Sequence, residues 1–338
     1  MEGLHEESRR PRHNPNQTPS ETEDLILSLR HKHMAWGGRK ICARLLRLGY
    51  RNIPAPSTIT AILKRHGLVL VEESERREHW QRFEHPYPNS LWQLDFKGKE
   101  QLGNGMPCYS LTMLDDHSRF NLLLKACNNM CRETVKEHLT DSFRMYGLPD
   151  RLNIDNGAPW GSREKEWRYT RINVWFIRLG IRVSHSRPCH PQTNGKEERF
   201  HRTLCEEVFK LQRPYDFMSC QKQFDEWRSI YNNERPHEAL NMAVPADRYQ
   251  RSIRELPEKL PPVEYDSRET IRKVHSGGRI AYQGRFFRVG RGFSDQLVAI
   301  RPTDIDGVVE IYFCQQKIKT INLKESTPES VTYVPEQV

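Results

Sequence analysis

Residues 190–204, HPQTNGKEERFHRTL, constrain the fold of this chain more than any other stretch. Pro191 and Gly195 make a turn, and a run without either residue type begins at Lys196, which predicts a loop opening into a helix. Glu197 and Glu198 lie in the first turn of that helix. Phe200, Leu204, Val208 and Leu211 recur at helical spacing and form its expected buried stripe. Glu198 and Arg202, four apart, fall off the stripe, whereas Glu197 falls beside it, so Glu198 is the better placed to project into a cleft. Taken alone, the stretch reads better as two acids favoured by the positive end of a solvated helix.

Two aspartates change that balance. Asp95 lies in LWQLDFKG, where Trp92, Leu94 and Phe96 alternate with polar positions as in a half-buried strand. Asp155 lies in RLNIDNGAPWG, a short strand running into an Asn-Gly turn. A strand-borne Asp, a strand-end Asp and a helix-borne Glu can converge from distant positions. Three carboxylates with no thiolate among them suit hard, oxygen-preferring cations such as Mg²⁺ or Mn²⁺.

Asp95, the IDNG around Asp155, and HPQTNGKEERFHRTL together resemble the signature of the DDE recombinases, the superfamily of retroviral integrases and insertion-sequence transposases. YNNERPHEAL at 231–240 and PADRY at 245–249 resemble the bacterial insertion-sequence branch more closely. In that pattern the catalytic glutamate directly precedes an arginine, which is Arg199 here, so the resemblance also selects Glu198. It implies that Asp95, Asp155 and Glu198 are both the catalytic residues and the ligands of two Mg²⁺ or Mn²⁺ ions. The implied reaction is cleavage at transposon ends followed by strand transfer into target DNA, by a homo-oligomer assembled on double-stranded DNA. Between Asp155 and Glu198 there are 42 residues, more than the commonest family spacing. The excess is read as an insertion over 161–175, GSREKEWRYTRINVW; Glu164 and Glu166 within it are rival carboxylates in a polar, solvated segment.

Composition bounds the remaining choices. The net charge of +9 suits a polyanionic partner. Residues 1–90 hold 15 basic and 11 acidic side chains, 91–265 hold 27 and 24, and 266–338 hold 11 and 9. The excess is therefore spread along the chain and no single tail carries it. The eight cysteines include no CxxC pair and no finger spacing, so they read as reduced thiols of an intracellular protein. The His/Cys zinc module that precedes the core in retroviral integrases has no counterpart, since only Cys42 lies ahead of Asp95. His185, Cys189 and His190 make a possible metal trio, but a structural or DNA-contact role is preferred for residues in the loop feeding the helix. No apolar run approaches the roughly 20 residues of a membrane span, and the N-terminus is no secretory signal. A cytoplasmic bacterial protein, nucleoid-associated when bound to DNA, is expected.

The expected fold class is multidomain α/β: an N-terminal helix-turn-helix, a ribonuclease-H-like catalytic core with a mixed sheet, and a C-terminal SH3-like small β-barrel. Residues 1–19 form a polar tail resembling the linker after a first helix-turn-helix in longer relatives, which implies a chain without that first unit. Residues 20–72 hold three short helices, with Ser20/Glu23 as a capping box, Ser57 as a cap, and Ile41, Leu45, Leu48, Ile59, Ile62 and Leu63 turned inward. Arg39, Lys40, Arg44, Lys64 and Arg65 on their outer faces are expected DNA contacts; a generic helical packing module is the bland alternative. Residues 73–88 are a linker and 89–262 the core, in which three strands, a helix, a strand and a helix give the ribonuclease-H-like order. Asp115 and Asp116 fall at a hairpin turn, where Asp is common for backbone reasons; of the two, Asp116 is the one that could also lie near the site. Lys196, Arg199, His201 and Arg202 are expected phosphate contacts beside the metals, or else a solvated helix face. Residues 266–325 read as the small β-barrel, and 326–338 as a frayed tail. Two other functions fit the sequence: a plain metal-dependent nuclease, and a non-catalytic DNA-binding protein descended from a transposase.

Overall fold

The computed structural model describes residues 17–69, 84–161, 169–185 and 195–324. The first and last tails, most of the linker, Glu164, Glu166, Cys189 and His190 thus lie outside the described residues. The chain divides into two compact units, one built on the N-terminal helices together with Arg235–Met242, the other on the rest. The sequence places 235–242 in the core instead.

The first unit contains α1 (Ser20–Lys32), α2 (Gly38–Arg47) and α3 (Pro56–Arg65). Ile26, Ile41, Leu45, Ile59, Ile62 and Leu63 are buried between them, as the helical spacing requires. Leu48 is exposed, because α2 ends one residue before it. Gly38 permits the close approach of α2 and α3: a Cβ there would lie 2.4 Å from both Pro56 O and Thr60 Oγ1. The expected caps are not used. Ser20 and Ser57 are already helical, Pro19 and Ala55 hold the cap positions, and Glu23 pairs with Arg65 and His66, each at 2.6 Å, instead of reaching back.

The second unit opens with β1 (Trp92–Gln101), β2 (Pro107–Asp115) and β3 (Asn121–Cys127), followed by α4 (Arg132–Tyr146), β4 (Arg151–Ile154), α5 (Arg171–Arg178), β5 (Arg182–His185), α6 (Gly195–Leu204) and α7 (Phe217–Asn233). The five strands form one mixed sheet in the order β3-β2-β1-β4-β5, antiparallel among the first three and parallel from β1 to β5. Parallel neighbours need a crossover. α5 supplies it between β4 and β5, burying Ile172, Val174, Phe176 and Ile177. The expected insertion, read as a loop and a helix, thus ends in a helix that is part of the core.

Helices cover both faces. On one, Val135, Leu139 and Phe143 of α4 and the buried face of α5 pack on Leu94, Leu111 and Met113. On the other, Phe200 and Leu204 of α6 and Phe224, Trp227 and Tyr231 of α7 pack on Cys108, Leu114 and Leu124. The stripe of α6 runs as expected through Val208, then shifts. Residues Cys205–Phe209 form a π turn, whose extra residue rotates the next side chains about the helix axis, so Phe209 is buried and Leu211 is 51% exposed.

The C-terminal strands β6 (Thr270–Lys273), β7 (Arg279–Tyr282), β8 (Arg285–Arg288), β9 (Leu297–Pro302), β10 (Val308–Phe313) and β11 (Gln316–Asn322) make a four-stranded antiparallel sheet, β11-β10-β9-β6, and a separate β7-β8 hairpin. Among the described residues this sheet is open, not closed into the expected barrel. Its apolar side chains continue the hydrophobic core of the mixed sheet. The Gln316 side chain pairs with Val183, accepting from its N–H at 3.0 Å and donating to its carbonyl at 2.9 Å, and also donates to Tyr169 Oη at 3.1 Å. Strands that share a core and hydrogen bonds with β5 do not behave as a loosely tethered domain.

No described helix is long and apolar enough to cross a membrane, and the seven described cysteines form no disulfide.

Candidate active site

Asp95 sits mid-strand in β1, directly opposite Thr112 of β2. Its Oδ1 accepts the Phe96 N–H at 2.8 Å. Burial raises its pKa to about 7, with the nearby Asp155 charge second, an opposing contribution from the Phe96 N–H third and the Glu198 charge fourth. Asp155 follows the last residue of β4. Its Oδ1 accepts the Gly157 N–H at 2.9 Å, which opposes a burial-driven rise in its pKa. A Cβ on Gly157 would stand 3.0 Å from Asp155 Oδ2, so glycine leaves that oxygen room.

A second residue braces Asp155 from behind. Asn173 Nδ2 donates to Trp160 O at 2.9 Å and lies 3.3 Å from His185 Nε2, while His185 Nδ1 lies 3.2 Å from Asp155 O. This pattern requires the tautomer with its proton on Nδ1. His185 is thus a buried structural residue on β5, as preferred from sequence.

The two glutamates of α6 have opposite fates. Glu198 is exposed and its charge reaches Asp95, whereas Glu197 is buried. Glu197 Oε2 lies 3.1 Å from Thr112 Oγ1 and 3.5 Å from His201 Nε2, and Thr112 Oγ1 also lies 2.8 Å from His201 Nε2 and 3.1 Å from Asp95 O. One hydroxyl proton cannot serve three acceptors. Burial, and then the Asp95 charge, raise the Glu197 pKa well above the usual carboxyl range, with the Thr112 hydroxyl acting against them. Burial pushes His201 down to about 3, with the Lys97 charge adding to the effect.

The His201 ring is turned onto the sheet, against Thr112 Oγ1. Lys196 is also turned inward: its Nζ lies 2.5 Å from Asp116 Oδ1 and 3.3 Å from Asp116 O. Burial lowers its pKa to about 8, the neighbouring Arg119 charge acting in the same direction and Asp116 against it. Removing one partner of such a buried pair costs about 3–5 kcal/mol. Arg199 and Arg202 are the cations of α6 that face outward. In the first unit Arg39, Lys64 and Arg65 are exposed and Lys40 and Arg44 half-buried; Arg39 lies 3.6 Å from Glu238 and Arg65 2.6 Å from Glu23.

Asp115 is structural. Its carboxylate accepts the N–H groups of Asn89 and Ser118 at 2.7 and 2.8 Å and the Ser118 hydroxyl at 2.5 Å, closing the β2–β3 turn. Thr112 and Gln93 escaped the sequence reading as site neighbours. The β1–β2 register brings Thr112 beside Asp95, and no local motif reports it.

Among the described residues, no three His, Cys, Asp or Glu side chains stand close enough to hold a metal ion as placed. The donor set nevertheless fits one. Asp95, Asp155 and Glu198 are all oxygen donors, and their mutual repulsion at Asp95 has no neighbouring cation among its causes, the imbalance that a divalent ion relieves.

The pattern described as "Integrase core domain" matches residues 85–191, a second of the same description matches 179–245, and "IS481 family transposase, C-terminal domain" matches 269–329. The chain thus carries an integrase core domain followed by an IS481-type transposase C-terminal domain. Among curated relatives of this integrase core, an IS407 insertion element protein of 31.7 kDa from Burkholderia multivorans is 24% identical over 66% of this chain and 78% of its own length. An IS476 insertion element protein from Xanthomonas euvesicatoria is 24% identical over 47% of this chain and 44% of its own. The Gag-Pro-Pol polyprotein of Mason-Pfizer monkey virus is 27% identical over 38% of this chain, and only 7% of the polyprotein is covered. Of solved structures, a simian T-cell lymphotropic virus intasome chain aligns over 88% of this chain and 99% of its own, at 14% identity and a TM-score of 0.42.

Proposed function

We propose that the chain is a metal-dependent polynucleotidyl transferase that cleaves at transposon ends and joins them to target DNA, with Asp95, Asp155 and Glu198 as its catalytic carboxylates. The observation that carries the reading is convergence: a strand-end and a helix carboxylate, far apart in sequence, both come near enough to the mid-strand Asp95 for their charges to raise its pKa. Such a concentration of like charge is costly to fold and marks functional sites. The three would hold two Mg²⁺ or Mn²⁺ ions, which supply Lewis acidity to a water or a DNA 3′-hydroxyl and to the leaving 3′-oxygen. Within the protein, Gly157 gives the Asp155 carboxylate its room and the Phe96 N–H holds the Asp95 carboxylate. No side-chain nucleophile is required.

Arg199 and Arg202 are proposed to bind DNA backbone phosphates beside the carboxylates. The first unit is proposed as a helix-turn-helix domain that grips duplex DNA through Arg39, Lys40, Arg44, Lys64 and Arg65, and β6–β11 as an opened relative of the small SH3-like barrel. A homo-oligomer on two DNA ends is part of the same reading. The rival is a DNA-binding remnant without chemistry, which draws on the absence, among the described residues, of three groups within coordinating reach.

The test is transfer of a labelled transposon-end duplex into plasmid with Mg²⁺ or Mn²⁺, comparing wild type with Glu198→Gln. Joined product from the wild type and a loss of at least roughly 100-fold in the variant are expected. Full joining by Glu198→Gln would sink the assignment of the third carboxylate. Nicks without joined product would favour a plain nuclease, and salt-sensitive retardation without either product would favour the remnant.

A further inference from the structure

The contacts that fix the start of α6 against the sheet are polar, buried and unused by the chemistry above. Asp116, at the turn after β2, is 1% exposed. Its Oδ2 accepts the His85 N–H at 2.8 Å, and its Oδ1 accepts from Gln93 Nε2 at 2.8 Å and from Lys196 Nζ at 2.5 Å. Gln93 precedes Asp95 by two residues on β1, and Lys196 precedes Glu198 by two on α6. In a strand, that offset puts Gln93 and Asp95 on one face. In a helix, two residues turn the side chain by about 200°, so a lysine anchored inward leaves Glu198 pointing out, as its exposure shows. One carboxylate oxygen therefore joins the strand that carries Asp95 to the helix end that carries Glu198.

We propose that Asp116 is a positioning residue: through Gln93 and Lys196 it sets the first turn of α6 over β1 and so fixes how Glu198 approaches Asp95. The proposal rests on the reading of those carboxylates as one metal site. Asp116 touches neither of them, so its effect passes through the placement of α6. The Thr112–Glu197–His201 cluster also holds α6 to the sheet, from Glu197 in the same first turn to His201 one turn later, and the Asp116 contact is made ahead of both, at Lys196.

The experiment uses the full chain as wild type, Asp116→Asn, Lys196→Met and the double variant, which leaves no buried charge and so keeps the comparison open should Lys196→Met not fold. Amide hydrogen exchange is followed by mass spectrometry over residues 195–204 without metal, and Mn²⁺ half-saturation is read from the thermal upshift. Exchange in the first turn of α6 is expected to rise about tenfold in all three variants, with α7 unchanged, and half-saturation to rise by about 10–100-fold. Unchanged exchange in both Asp116→Asn and the double variant overturns the proposal. So does a pattern in which only Lys196→Met acts, lowering metal-free retention of duplex DNA and its salt slope by about one, the mark of a phosphate contact. Loosened exchange combined with no Mn²⁺ response in the wild type keeps the positioning role and removes the metal reading instead.

Discussion

Asp95→Asn is expected to stabilise the metal-free protein while abolishing strand transfer. In the folded chain Asp95 titrates at about 7 against an ordinary value of 3.8. At about 1.4 kcal/mol per pH unit, that gap amounts to roughly 4 kcal/mol. The sign comes from proton binding. Between pH 4 and 7 the unfolded chain has lost this proton and the folded one keeps it, so stability falls as pH rises through the window, then levels off above 7. Asparagine removes the penalty and keeps the acceptor for the Phe96 N–H. The gain should therefore be about 2–4 kcal/mol at pH 8, near 5–10 °C in melting temperature for a unit of this size, and close to nothing at pH 4. Thermal melts in EDTA at the two pH values read it directly. Saturating Mn²⁺ should raise the wild type and not the variant. A variant no more stable than wild type at pH 8, or equally stabilised at both pH values, would refute the reasoning.

Two further outcomes are expected from the same geometry. Glu197→Gln keeps the shape of a buried side chain that does not face the proposed metal site, so it should change stability by less than about 1 kcal/mol and retain joining, whereas Glu198→Gln does not; loss of joining in both would mean that Glu197 is also a working carboxylate. Gly292→Ala would put a Cβ 2.3 Å from Tyr169 O, forcing the backbone apart where the C-terminal strands meet the mixed sheet. A loss of about 2–4 kcal/mol is expected by denaturant unfolding, and a negligible change would show that this junction yields easily.

Much of the core was legible because its signals are local. Alternation in LWQLDFKG, the strand-to-turn change in RLNIDNG and the helical stripe from Phe200 to Val208 each report a periodicity that burial then satisfies. The same wheel separated Glu198 from Glu197, and the two are indeed exposed and buried respectively. The helical patterns of 20–72 likewise predicted most of the side chains that fill the first unit, while misplacing Leu48 and missing its caps, since Pro19 and Ala55 took positions that Ser20 and Ser57 are chemically suited to hold.

Sequence alone determined which residue types alternate, where the chain turns, and that three carboxylates sit on elements able to converge. Only the tertiary structure decided direction. Lys196 and His201 lie beside Arg199 and Arg202 on one helix, yet the first two turn inward because Asp116 and Thr112 wait there on the sheet, 80 and 89 residues away in the chain. The barrel stayed open and the crossover helix proved to be core for the same reason: strand pairing and the sharing of apolar surface are settled between distant segments. A periodicity fixes which face of an element is buried, but the groups it is buried against come from elsewhere in the chain, and they set the charge and the role of each side chain.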